Sequence, residues 1–172
     1  LSPSLGLSGT TNRLELGMSF KKYISLKDVA LDPVISVKNS LLIKNTINLP
    51  VFEKEFLGGE GYVRGYSPIV QQNPYAVRSF MEGTQIFYQN IQLQHTLFPR
   101  KDYHKIEFGI DLVYFADFGM SADSLKSFVL KKSIFGYGAG IRIFISGAGV
   151  ISIDLGFNPY GSWFVHPSDG DY

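Results

Sequence analysis

The sequence contains no cysteine, which excludes a disulfide framework, a thiolate metal site and a cysteine nucleophile. It carries little excess charge: 16 Lys and Arg against 15 Asp and Glu leave +1 over 172 residues, without the basic surplus of a nucleic-acid binder. Histidine is scarce, and His95, His104 and His166 lie scattered, with no ligand spacing and no paired carboxylates, so no metal site is expected. No apolar run approaches the ~18 residues of a transmembrane helix, and the first residues do not read as an export signal. A helical membrane protein is thereby excluded, whereas a membrane barrel stays open. There is no Gly-x-Ser-x-Gly elbow to support a hydrolase, and a strand pattern, not the helix of a phosphate cradle, follows Gly138 and Gly140. What is abundant is 14 Phe, 10 Tyr and 18 Gly, a composition that favours strands and turns.

Alternation with a period of two runs along the chain. From Lys105 to Asp117, Ile106, Phe108, Ile110, Leu112, Tyr114 and Ala116 share one face, opposite Glu107, Asp111 and Asp117. Ile141, Ile143 and Ile145 repeat the pattern, and Ile151, Ile153 and Leu155 continue it after a turn bearing Gly147 and Gly149. Long strands are also expected over Leu14 to Leu26, Ile35 to Leu49 and Thr84 to Phe98, with an earlier one over Leu1 to Ser8. Connections around Asp28 to Val34, Pro99 to Tyr103 and Ser146 to Gly149 read as short, those over Pro50 to Gly83 and Gly119 to Ser133 as long. Short turns at one end and long loops at the other fit a transmembrane barrel. A soluble antiparallel barrel or sandwich remains the alternative, although it gives no reason for sorting loops by length.

The first long loop reads Phe56-Leu-Gly58-Gly59-Glu-Gly-Tyr-Val63-Arg64-Gly65-Tyr66. Glycines on both sides of a single arginine allow a tight tip that offers one guanidinium to a carboxylate fork, a means of docking a loop. The stretch resembles the arginine-glycine-aromatic motif in the sixth extracellular loop of the BamA/TamA family, the bacterial surface antigen superfamily of outer-membrane assembly and translocation barrels. Its neighbours extend the resemblance: a strand with Asn90 and Gln92, an aromatic-x-Asp-x-Gly element at Phe115 to Gly119, and a Gly-x-Gly strand at Gly138 to Arg142. Order, spacing and face agree over roughly residues 14 to 158.

The resemblance implies that Arg64, presented by Val63, Gly65 and Tyr66, folds into the barrel and pairs with Asp117. Alternation independently sets Asp117 on the polar side of its strand. Gln92 stands where family members often carry an acid, which removes one partner. Gly58, Gly59, Gly119, Gly138 and Gly140 are the glycines expected to shape the loop and its seat. The expected fold is an all-β transmembrane antiparallel barrel, of which this chain forms the C-terminal half of about sixteen strands, cut at both ends. Trp163 to Tyr172, with Pro167, Asp169 and Gly170, reads as a loop, and the family's final strand as missing. The resemblance further implies an outer-membrane, non-enzymatic barrel that inserts or translocates proteins without cofactor or nucleotide. Its partners would be outer-membrane lipids, client outer-membrane or secreted proteins, and upstream POTRA domains or accessory lipoproteins, with no nucleic acid. The translocator barrel of a surface enzyme, such as a patatin-type lipase fusion, and a passive pore are the alternatives.

Overall fold

The computed structural model describes residues 14–26, 32–45, 54–59, 61–79, 81–103 and 106–168. The strand expected over Leu1 to Ser8 lies outside them. Strands β1 (Leu14–Ser25), β2 (Val34–Asn45), β5 (Gln85–Tyr103), β6 (Ile106–Ala122), β7 (Ser133–Ile145), β8 (Gly149–Phe157) and β9 (Trp163–Ser168) form one sheet, each antiparallel to its sequence neighbour within it. Between β2 and β5 the chain forms a small ribbon of β3 (Glu55–Phe56) and β4 (Glu82–Gly83), with a 3-10 turn (Val70–Gln72) and one turn of α-helix, α1 (Tyr75–Arg78), between them. The sheet is all antiparallel and open: among the described residues, β1 and β9 each have one neighbour.

Register converts the alternation into two faces. Ile91, Ala116 and Tyr137 are cross-strand partners on one side, as are Leu93, Tyr114, Ala139 and Leu155. This face is apolar and open, with Met18 at 64% and Phe20 at 63% exposure and Ile141, Ile151, Ile153 and Leu155 also exposed. An aromatic band crosses it. Phe87 meets Phe118 at 6.4 Å, Phe118 registers with Phe135, and Phe135, Tyr137 and Phe157 follow at 6.0 Å each. Trp163, opposite Phe157, ends the band. Apolar strands capped by an aromatic girdle are the lipid-facing signature of membrane barrels. The other face holds Asn90, Asp117, Arg142, Ser152 and Asp154, all buried, because the long loop between β2 and β5 lies on it.

Several expected boundaries move. Trp163–Ser168 is a strand, not a loop, so the partner of the Gly149–Phe157 strand lies within this chain. The turn-like residues mislead there because Pro167 falls only at the next-to-last position of the strand, after Trp163 to His166 have already paired. Pro99 to Tyr103 belongs to β5, which accommodates the proline through register shifts between Thr96 and Phe98 and between Phe98 and Lys101. β6 runs on past Gly119 to Ala122, leaving a loop over 123–132. The β8–β9 connection, over 158–162, is a short one at the long-loop end.

Candidate functional site

The loop over residues 54–83 carries its own core. Leu57, Val63, Tyr66, Val77 and Met81 are fully buried and pack with Ile86 of β5 and Ile134 of β7. Asn73 ties the chain reversal together: its Oδ1 accepts from the Ser67 amide at 2.9 Å, and its Nδ2 donates to the Ser67 and Ile69 carbonyls. Such side-chain bonds replace the backbone partners an irregular segment lacks. The loop is also pinned to the sheet. Asn90 Nδ2 donates to the Tyr62 carbonyl at 2.7 Å, Asn158 Nδ2 to the Gly65 carbonyl at 2.7 Å, and Tyr66 Oη to the Phe135 carbonyl at 3.2 Å. Near the base of the loop, Lys44 pairs with Glu55, which also accepts from Tyr62 Oη at 2.8 Å.

Those fixings put Arg64 against the sheet with 3% of its surface exposed. Asp117 receives three bonds from it: the backbone N–H at 3.0 Å, Nε at 2.7 Å and Nη2 at 2.8 Å. The carboxylate thus meets the guanidinium in a two-point fork, the strong geometry for this pair. The guanidinium also lies over the Phe115 ring, 3.7 Å from its centre. Nη1 donates to Asp154 Oδ2 at 2.8 Å and faces Gln92 Oε1 at 3.5 Å. Asp154 is held in turn by Arg142, whose Nη1 and Nη2 reach Oδ1 at 2.5 Å and Oδ2 at 2.9 Å. Two arginines and two aspartates therefore form one buried, charge-balanced cluster. Burial opposes the charge on Arg64, but the hydrogen bond and charge of Asp117, with the charge of Asp154, outweigh it and hold the guanidinium above its ordinary range.

The seat is made of bare backbone. A Cβ at Gly136 would fall on the Arg64 carbonyl, one at Gly156 on the Gly65 amide, and one at Gly119 would come within 2.7 Å of Val63 Cγ2. Gly65 itself has φ +97° and abuts the Phe157 backbone, so only glycine suits this position. Of the glycines singled out in the sequence, Gly138 makes room for Phe115 and the Leu155 carbonyl, and Gly140 for Asp154. Gly58 lies against the Ser67 carbonyl and Gly59 has φ +103°.

The structure brings Val63, Arg64, Gly65, Tyr66, Asp117 and Gly119 together, with Gln92 at the margin. Sequence reasoning passed over Asp154 and Arg142 as partners and Gly136 and Gly156 as seat. Alternation places Arg142 and Asp154 on the same face, and the small residue Gly140 opposite Asp154 was the available sign that something reaches over it. Among the described residues no group of His, Asp and Glu could hold a metal. Buried, mutually compensated charges of this kind can fix a conformation; they offer no general acid, base or nucleophile aimed at open space.

A family model described as Omp85 superfamily domain matches residues 2–162. No curated protein matches the chain, and no solved structure does.

Proposed function

This chain belongs to the Omp85 superfamily, which includes BamA/TamA-type barrels and whose members are outer-membrane proteins of Gram-negative-type envelopes that assemble or translocate proteins, and from that premise we propose that it forms part of a closed barrel that inserts client proteins into the outer membrane or passes them across it. In this reading the apolar face of the sheet meets lipid and the loop-bearing face lines the lumen. Edge energetics support closure: unpaired backbone groups in lipid cost several kcal/mol each, so β1 and β9 take further strands as neighbours. The work needs no cofactor and no nucleotide. Its clients are outer-membrane or secreted polypeptides, delivered by periplasmic domains or accessory lipoproteins.

The observation that carries the proposal is the Arg64 cluster, which holds a thirty-residue excursion (54–83) on the polar face of the sheet when a passive pore would need only an open lumen. Its role is conformational: the docked loop sets the working shape of the lumen. The test uses the full-length protein in liposomes, scored by insertion of an unfolded outer-membrane barrel added from urea. Wild type should accelerate insertion, and Arg64→Ala, at equal protein density, should lose most of that acceleration. Equal insertion by both proteins, or none above empty liposomes, would overturn the reading.

A further inference from the structure

The loop over 123–132, between β6 and β7, has no part in docking Arg64. It is folded by its own bonds: 3-10 turns at Leu125–Ser127 and Leu130–Lys132 close through the Ser127 amide to the Ser124 carbonyl at 2.9 Å and the Lys132 amide to the Val129 carbonyl at 2.8 Å, and Ser133 Oγ donates to the Leu130 carbonyl at 2.8 Å. Its charge is lopsided. Lys126, Lys131 and Lys132 are exposed and form no ion pair among the described residues, while the loop's one acid, Asp123, is taken by Lys54 at 3.0 Å. Between the lysines stand Val129 and Leu130, both exposed, the leucine at 75%. Three lysines alone would make a solvated surface, and one exposed leucine is ordinary. Their position decides. The second turn runs directly into β7, where Phe135 and its partner Phe118 belong to the aromatic band across the apolar face. At ~2 Å per residue in the turn and ~3.3 Å along the strand, the path from Leu130 to Phe135 covers at most about 13 Å. Aromatic girdles lie at headgroup depth, in a layer about 5–8 Å thick on each side of the hydrocarbon. The path is thus about the thickness of that layer plus the stretch of a lysine side chain.

We propose that the 123–132 loop is a contact site for anionic, phosphate-bearing lipid headgroups in the leaflet at the long-loop end of the barrel. It rests on the membrane part of the reading above and not on client insertion. Near an anionic surface each lysine contributes about fivefold to the attraction, to which a zwitterionic headgroup offers no net charge. Val129 and Leu130 act differently. Set among the headgroups, they hold the loop at the surface whatever the charge of the lipid, as apolar residues flanked by lysines do in interfacial segments. An acidic protein fits less well, because the aromatic band that continues from this turn faces lipid in the same reading.

The test is fluorescence quenching on the full-length protein in phosphatidylcholine nanodiscs, with a bimane label on Ser127→Cys, an exposed loop position in a chain that holds no competing cysteine. The probes are phosphatidylglycerol and phosphatidylcholine carrying the same nitroxide just below the glycerol, so that only the headgroup differs. At equal mole fraction phosphatidylglycerol should quench at least about threefold more efficiently, and the ratio should fall toward one as salt rises from about 0.05 to about 0.5 M. Lys126→Gln, Lys131→Gln and Lys132→Gln together should erase the preference while the folded band on unheated gels persists, and Leu130→Ser should weaken quenching by both lipids and keep their ratio. Equal quenching by the two lipids, quenching by neither, or a preference unchanged in the triple variant would overturn the proposal. So would loss of the preference in inorganic phosphate at an ionic strength where chloride leaves it intact, since the loop would then take a free ion only. A second label, on Ile153→Cys of the apolar face, reads the membrane itself through a nitroxide at the chain middle. Quenching there without a headgroup preference at Ser127→Cys sinks the loop site alone, and no quenching there sinks the membrane reading with it.

Discussion

Asp117→Asn tests the docked loop most directly, because it changes one atom's chemistry and almost no volume. The carboxylate accepts three bonds from Arg64. Asparagine retains one acceptor and turns an amide donor toward a donor, while the cluster passes from neutral to +1. Removing one member of a buried ion pair costs about 3–5 kcal/mol. Asp154 remains beside Arg64 Nη1 at 2.8 Å and screens part of that, which places the cost near about 3 kcal/mol. At about 1.4 kcal/mol per decade, the equilibrium for lifting the loop shifts by roughly a hundredfold. Hydrogen exchange of the full-length protein in nanodiscs reads this out. Amides over 57–67 should exchange about a hundredfold faster than in wild type, while β6 and β7 keep their protection. The double variant Asp117→Asn with Arg64→Gln should be no worse than the single one, since the stranded charge is gone. Exchange over 57–67 within about twofold of wild type, in a folded barrel, would refute the reasoning.

Other perturbations follow from the same geometry. Gly136→Ala sets a methyl on the Arg64 carbonyl, whereas a Cβ at Gly61 meets nothing within 4 Å; the first should expose the loop to protease, and the second should leave its digestion unchanged. Ser152 Oγ is buried without a partner, so Ser152→Ala should hold or raise stability, by up to about 1 kcal/mol, in urea titrations of the folded protein in lipid. Ile153→Arg puts a charge on the exposed apolar face and should cost about 2–4 kcal/mol if that position lies near the bilayer centre, against near neutrality for a soluble sheet. Arg64→Lys keeps the charge and loses the fork, so its loop exchange should fall between wild type and Arg64→Gln.

The strands and their order were legible because each sheet face has one solvent: a period of two written over ten or more residues has few other readings. The Arg64–Asp117 contact was legible through the family resemblance, which pairs the loop arginine with an acid on the wall, while alternation by itself placed only Asp117, on the polar face of its strand. Asp154 and Arg142 were not, since their pairing is diagonal. Arg142 registers with Ser152 and Asp154 with Gly140, and no one-strand pattern reveals a side chain leaning two residues along its neighbour. The strand at Trp163–Ser168 was hidden by composition, its alternation of Trp163, Phe164 and Val165 being too short to outweigh Pro167 and the residues after it. Gly136 and Gly156 were visible as glycines, but what they make room for comes from a segment some seventy to ninety residues away.

The Arg64 guanidinium touches Asp117 on β6 and Asp154 on β8, while the Arg64 carbonyl lies against Gly136 of the intervening β7. It is therefore a chord drawn across three successive strands. In the closed barrel proposed above, where backbone hydrogen bonds set the spacing between strands, fixing such a chord fixes the local radius of the wall, so this one side chain would gauge curvature at its own height. A barrel that must widen there has to break the chord first, and one that keeps it is held to a single bore. The loop is thus a ruler as much as a plug, and the circumference of the wall and the seating of the tip are two readings of the same scale.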